Sequence, residues 1–251
     1  MIGEKKLRVL LLVCGCLVVV LGLAALGLAF LYGYLPPADR AAQVVHLRAA
    51  QQIDEEGFLV LVNETHPLPD DYEPEDLVNL AEARPKNTIG LKDISMRANK
   101  TAFAALCDLA ADMKAEGYEG LTVIASYRDL EKQQELFRAS FNGRDIFGKP
   151  YVQTPEATEH RTGLAFDLSV LDEDGQTLVF SETPHYTYVL EHMADYGFIL
   201  RYPSDKQEIT GIGYEPWHIR YVGKEAAVQM QAEGLCLEEY VQRLEDAGQS
   251  S

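Results

Sequence analysis

Basic residues are scarce in this chain. Its 251 residues hold 22 lysines and arginines against 39 aspartates and glutamates, a formal charge of −17. A surface of that sign repels phosphate backbones and argues against nucleic acid as a partner. Cysteine is scarce too: four are present and none forms a CxxC pair, so thiolate zinc ribbons and dithiol redox motifs are absent. Internal repeats and low-complexity tracts are missing. Charge is missing altogether between Val9 and Leu31.

That uncharged run, VLLLVCGCLVVVLGLAALGLAFL, is 23 residues long. At about 1.5 Å per helical residue it spans a hydrocarbon core of roughly 30 Å. A cleavable signal peptide has a shorter apolar region of about 7–15 residues ending at a small-residue site. A lipoprotein signal at Cys16 would leave a long apolar stretch behind it. The run is therefore expected to be an uncleaved transmembrane anchor over 9–31. Lys5, Lys6 and Arg8 precede it and no basic residue follows closely, which orients residues 1–8 toward the cytoplasm and everything after Pro36 outside. Residues 32–57 read as a linker, 58–246 as the globular domain and 247–251 as a tail.

Within the domain, FLVLVN (58–63) reads as a short strand, followed by a Pro- and Asp-rich loop. Helical periodicity covers 95–116 and stops before Gly117. LTVIAS (121–126) reads as a buried strand. Asp129 to Phe141 reads as a helix with Leu130, Gln134, Phe137 and Phe141 on one face. GLAFDLSV (163–170) alternates as a strand, and Asp174-Gly175 marks a hairpin turn. A helix over 185–196 ends at Gly197. FILRY and WHIRYVG read as strands, and helices over about 224–233 and 237–245 close the domain. Hairpin-signalled strands mixed with helices indicate an α+β fold. Cys107 lies on an apolar helical face with Phe103, Leu106, Ala110 and Met113, so it reads as a small buried hydrophobe rather than a disulfide partner of Cys236.

Two short segments carry chemistry. In EHRTGLAFD (159–167) strand parity puts Leu164, Phe166, Leu168 and Val170 on one face and Ala165, Asp167 and Ser169 on the other. Gly163 permits a sharp turn that lets His160 fold back beside Asp167. In EPWH (215–218) His218 begins a strand in which Trp217, Ile219 and Tyr221 alternate with His218 and Arg220. His160, Asp167 and His218 make three ligands with an open fourth position, the pattern of a catalytic zinc site. Glu215 is placed to act as general base. The same ligand types also suit the facial triad of non-haem iron oxygenases, but that chemistry has no use for Glu215. Arg128 follows a buried strand and precedes a helix, where a guanidinium can project into a cleft and hold a carboxylate or an oxyanion. His46, His66, His185 and His192 lack partner motifs and read as non-ligands, with His66 the nearest to an exception. The acidic runs DEEG and DDYEPED read as solvated surface.

HRTGLAFD fits HxxGxAxD, EPWH is followed by RYVG, ASYRDLEKQQELF fits a Ser-x-Arg segment with a glutamine six residues after the arginine, and LVNETHPLPDDYEPEDLV precedes them. In this order the segments resemble the VanY-type D-alanyl-D-alanine carboxypeptidases, zinc enzymes of the bacterial cell wall related to VanX dipeptidases and hedgehog-like domains. The resemblance covers about residues 58–246. It implies an α+β fold with a central antiparallel sheet flanked by helices. It implies Zn2+ on His160, Asp167 and His218, Glu215 as the base, and Arg128 facing the substrate. Ser126, Tyr127, Gln134, Thr158 and Trp217 become candidate substrate contacts. PEATEH departs from the family's usual PGxSEH: Thr158 keeps a hydroxyl, whereas Glu156 adds charge near the mouth. The implied partner is the peptidoglycan stem peptide, cut as a pentapeptide by D,D-cleavage or as a tetrapeptide by L,D-cleavage. A wall-binding domain that kept the fold without catalysis is a further alternative, against which Glu215 speaks.

The anchor has a direct test. The full-length chain should remain in the membrane fraction through a high-salt wash, with residues after Pro36 open to protease added outside. A soluble mature protein beginning within residues 25–45 would instead show a cleaved signal.

Overall fold

The computed structural model describes residues 57–140, 152–172 and 174–249. The expected anchor over 9–31, its cytoplasmic flank, nearly all of the linker, and Phe141 lie outside the described residues. No helix among the described residues is long and apolar enough to cross a membrane.

In chain order the elements are β1 (Leu77–Asn79), α1 (Leu80–Ala83), β2 (Gly90–Leu91), β3 (Arg97–Asn99), α2 (Lys100–Ala115), β4 (Leu121–Ala125) and α3 (Leu130–Ala139), then β5 (Ala165–Val170), α4 (Pro184–His192), β6 (Phe198–Leu200), α5 (Gln207–Thr210), β7 (His218–Tyr221), α6 (Lys224–Glu233) and α7 (Leu237–Gln249). Five strands form one sheet in the order β2-β4-β5-β7-β6, and β1 pairs with β3 apart from it. The α+β class is as expected. The sheet is not wholly antiparallel: β4, β5, β7 and β6 pair antiparallel, but β2 runs parallel to β4. The cause is the connection between them, which contains α2 and so makes a crossover in place of a hairpin.

One face of the sheet is the main core. Val123, Phe166, Leu168, Phe198, Ile219 and Tyr221 pack with Phe103, Leu106, Leu109 and Met113 of α2. Phe166 sits between Phe103 and Phe198, with ring centroids 6.4 and 6.0 Å away. A smaller cluster joins Leu59, Leu61 and Ile199 to Ala227, Met230, Leu237 and Tyr240 of the last two helices. Cys107 and Cys236 are both free and buried, and burial pushes each thiol up to about 11.

Two boundaries differ from expectation. The helix expected from residue 95 starts at Lys100, because Asn99 caps it by accepting from the amides of Thr101 and Ala102 at 3.0 and 3.1 Å. The three residues before it are used by β1. FLVLVN joins no named strand: Phe58 and Leu59 lie in a turn, and Asn63 forms an isolated bridge with His66. Phe58, Val60 and Val62 enter the main core and Leu59 and Leu61 the second one. The carbonyls of Phe58 and Val60 each accept a 2.8 Å bond from Arg220 Nη2, so a side chain satisfies two buried backbone acceptors.

Leu106 is fully buried in the main core, whereas Ile94 is 75% exposed. Leu106→Ala should lower unfolding free energy by about 2–5 kcal/mol, and Ile94→Ala should stay within about 0.5 kcal/mol of wild type. Denaturant midpoints at constant slope provide the measurement.

Candidate active site

The second face of the sheet carries the polar residues. Register pairs Asp167 with His218 across β5 and β7, and Ala125 of β4 with Asp167. A bulge between Val123 and Ala125 sets that alignment, a common device for aiming side chains beside a site. The parity read from GLAFDLSV holds, as does that of Ile219 and Tyr221 against His218 and Arg220, but Trp217 precedes β7 and lies on the His218 side.

His160 comes from a 3₁₀ turn over Glu159–Thr162. Thr158 Oγ1 caps the turn by accepting from the His160 amide at 3.3 Å. Gly163 ends it at φ 74°. A Cβ at that position would come within 2.7 Å of Leu77 Cδ2 and 3.1 Å of the Asn99 amide nitrogen, so glycine is required by space as well as by conformation. His160 Nδ1 lies 2.8 Å from the Ser126 carbonyl, which leaves Nε2 toward Asp167 Oδ1 at 3.4 Å. His218 Nδ1 is 3.1 Å from the same oxygen. The ligand atoms of His160, Asp167 and His218 all lie within 4.8 Å of one another.

These residues fit a divalent ion. Bonds of about 2.0–2.2 Å to a tetrahedral ion put ligand atoms roughly 3.3–3.6 Å apart, close to the 3.1 and 3.4 Å found here. Asp167 Oδ1 is buried and has no hydrogen-bond partner, which suits an oxygen reserved for a cation. Against burial, the two imidazoles hold the Asp167 carboxyl well below the usual range. Burial, then Arg128, pushes His160 down to about 4. Burial would also depress His218, but Asp167 and Glu159 outweigh it and raise it to about 9. Carboxylates that attract a proton this strongly also attract a metal cation.

A cavity of about 440 Å³ opens over these three residues. Glu215, Arg128 and Trp217 line it, together with Leu136, Ala139 and Ser140 at the end of α3 and with Val152 and Gln153. Glu215 Oε2 is 3.7 Å from His218 Nδ1. Burial raises the Glu215 carboxyl to about 7, with Asp167 adding to the shift and His218 and Arg128 opposing it. Arg128 makes no salt bridge among the described residues: Asp129 is engaged in capping α3 instead. Its buried Nε has no hydrogen-bond partner. Burial lowers its pKa, against the pull of Asp167 and Glu215, yet a guanidinium stays charged.

Four candidate substrate contacts fall elsewhere. Gln134 is off the cavity and accepts from Arg138 Nη2 at 3.2 Å. Its neighbour Gln133 is the buried one, donating to the Gln153 carbonyl at 3.0 Å. The inward face of α3 runs through Gln133, Phe137 and Ser140, one residue away from the face expected. Thr158 spends its hydroxyl on the cap. Ser126 contributes its carbonyl to His160 and does not line the cavity. Tyr127 lies under the guanidinium of Arg97, 5.0 Å from its ring centroid. Trp217 does line the cavity, at 38% exposure. Glu156 is half-buried beside Arg161 and not on the cavity wall. His66 is bonded to Asn63 and Thr65, and His185 to the Glu119 carbonyl.

Sequence reasoning missed Glu159, Gln153 and Tyr202. Tyr202 packs behind His218 with ring centroids 4.9 Å apart and is bonded to Gln153. Its position inside FILRY carried no local signal.

Comparison with known proteins then decides the family. A sequence model described as VanY, D-alanyl-D-alanine carboxypeptidase, matches residues 95–224. This chain belongs to the VanY family. A D-alanyl-D-alanine carboxypeptidase of Enterococcus faecalis is 36% identical over 204 residues, covering 77% of this chain and 69% of the relative. Across the curated relatives compared, the share of the relative covered runs from 59% to 92%. The LdcB LD-carboxypeptidase structure is 36% identical with TM-score 0.62, covering 74% of this VanY-family chain and 86% of LdcB. A mutant of the vancomycin-resistance D,D-pentapeptidase VanY in complex with Zn(II), from a VanB-type cassette, is 35% identical with TM-score 0.58, covering 73% and 98%.

The ligand set has a direct test. Elemental analysis of the wild-type chain should find about one zinc per molecule. His218→Ala should lose most of it, and Gln134→Ala should keep it. Stoichiometric iron without zinc-supported activity would move the site to the oxygenase class.

Proposed function

We propose that this chain is a membrane-tethered, zinc-dependent D-alanyl-D-alanine carboxypeptidase working outside the cytoplasmic membrane on peptidoglycan stem peptides. One observation carries the reading: a buried carboxyl raised to about 7 shares a cavity with a three-ligand cluster and with Arg128, which makes no salt bridge among the described residues. A base at that pKa can accept and return a proton near neutral pH.

His160 Nε2, Asp167 Oδ1 and His218 Nδ1 would hold the ion. Zinc bound there supplies Lewis acidity that polarises the scissile carbonyl and acidifies a water. Glu215 takes the proton of the attacking water. As the peptide C–N bond breaks, it passes that proton to the leaving amine of the terminal D-alanine. Arg128 holds the substrate carboxylate or the developing oxyanion, and burial strengthens either interaction by excluding water. Trp217 and the apolar end of α3 wall the cavity. A domain kept only for wall binding would have no use for a buried base at this point.

L,D-cleavage of a tetrapeptide stem is the second reading, favoured by the likeness to LdcB. Arg128 would hold the C-terminal carboxylate in either substrate. Mass spectrometry of purified muropeptides incubated with the chain and zinc distinguishes them. Pentapeptide shortened by one alanine supports D,D-cleavage, tetrapeptide shortened by one alanine supports L,D-cleavage, and no shortening of either removes the carboxypeptidase assignment.

Base and ligand separate by mutation. Glu215→Gln should keep zinc and lower turnover on a D-Ala-D-Ala peptide by about 10²–10⁴-fold or more, with little change in peptide affinity. His160→Ala should lose zinc and turnover together. A Glu215→Gln protein that holds zinc and turns over near the wild-type rate would remove Glu215 from the mechanism.

A further inference from the structure

Glu159 is a charged side chain with no surface exposure, and the mechanism above gives it no task. Its two oxygens are used unequally. Oε1 accepts from Arg201 Nε at 2.7 Å and from Arg220 Nη1 at 2.8 Å. Oε2 has no hydrogen-bond partner. A carboxylate that only neutralised two arginines would be expected to share both oxygens between them. Here both guanidiniums crowd onto one, and the other is left facing His218.

His218 has the matching vacancy. Its Nδ1 faces Asp167 and Glu215. Its Nε2 is buried and has no hydrogen-bond partner. The nearest acceptor is Glu159 Oε2 at 3.7 Å. That gap is too narrow for a bridging water, and a shift of roughly 0.5–1 Å in either side chain brings it to hydrogen-bond length. A ligating imidazole must carry its proton on the nitrogen away from the metal, and the acceptor there fixes both tautomer and ring orientation. For His160 that acceptor is a neutral carbonyl, Ser126 O.

We propose that Glu159 is a positioning residue of the metal site: its Oε2 takes the Nε2–H of His218 and so commits that imidazole to bind through Nδ1. The inference rests on the reading of His160, Asp167 and His218 as metal ligands. The two arginines that hold Glu159 are themselves anchored, since Arg220 also grips the carbonyls of Phe58 and Val60 and Arg201 also grips Glu238.

The test reads tautomer and metal affinity, not hydrolysis. In the zinc-loaded, ¹⁵N-labelled full chain, imidazole NMR should show His218 bound through Nδ1 with a slowly exchanging Nε2–H. His160 should show the reverse. Glu159→Gln keeps the length and removes the charge. It should weaken zinc binding, measured by chelator competition, by about 10–100-fold and speed exchange of the His218 Nε2–H. Glu238→Gln, which touches Arg201 but not His218, should leave zinc affinity near wild type. Unchanged zinc affinity and an unchanged Nε2–H in Glu159→Gln would overturn the proposal. Should that variant fail to fold, the wild-type spectrum decides: His218 ligating through Nε2, or lacking a protected Nε2–H, overturns it. A wild-type chain that takes up no zinc removes the metal site and this role with it. A chain that binds zinc as stated and cleaves no stem peptide sinks the carboxypeptidase reading alone.

Discussion

The buried carboxylate of Glu159 between Arg201 and Arg220 is the constraint around which the domain is assembled. None of the three side chains is exposed. Burying such charges is costly unless every valence is satisfied, and removing one partner of such a group costs about 3–5 kcal/mol. All valences here but that of Glu159 Oε2 are supplied by distant parts of the chain. Arg201 and Arg220 belong to the β6–β7 edge, Glu238 to α7, and the carbonyls of Phe58 and Val60 to the segment that precedes β1. The cluster thus sets where that segment and the last helix can sit.

The first segment of the domain shows how the cluster and the apolar cores cooperate. Alternate side chains of residues 58–62 enter two different hydrophobic clusters. Arg220 donates to the carbonyls of Phe58 and Val60, and the same guanidinium holds the carboxylate that faces His218. Packing at the domain's start is therefore tied to the orientation of a candidate ligand at its centre.

The reactive geometry follows from the sheet. Asp167 and His218 meet because β5 and β7 pair in a register fixed by Phe166 and Ile219 on the opposite, apolar face. A slip of one residue would turn both polar groups into the core. Burial then acts on the groups in different directions. It raises Glu215 toward neutrality, while the two imidazoles keep Asp167 ionised despite it. Two carboxyls in one cavity are in this way separated into a proton acceptor and a permanent anion.

The linear sequence by itself determined the elements whose logic is local. Strand parity put Asp167 and His218 on the faces they occupy, Gly163 marked the turn that returns His160, and Glu215 was legible because it lies three residues from His218. The apolar face of α2, the hairpin at Gly175 and the closing helices were legible for the same reason, since periodicity and turn chemistry are short-range. Only the tertiary structure decided the rest. The inward glutamine of α3 is Gln133 because the Asp129 cap and the packing of Phe137 set the helix rotation. Ser126, Tyr127 and Thr158 were drawn off the cavity by partners that their own segments do not specify. The parallel β2 depends on where α2 docks. Glu159 is adjacent to His160 in sequence, yet its importance comes from arginines 42 and 61 residues away. A buried charge takes its meaning from the groups that surround it, and those are assembled only when the chain folds.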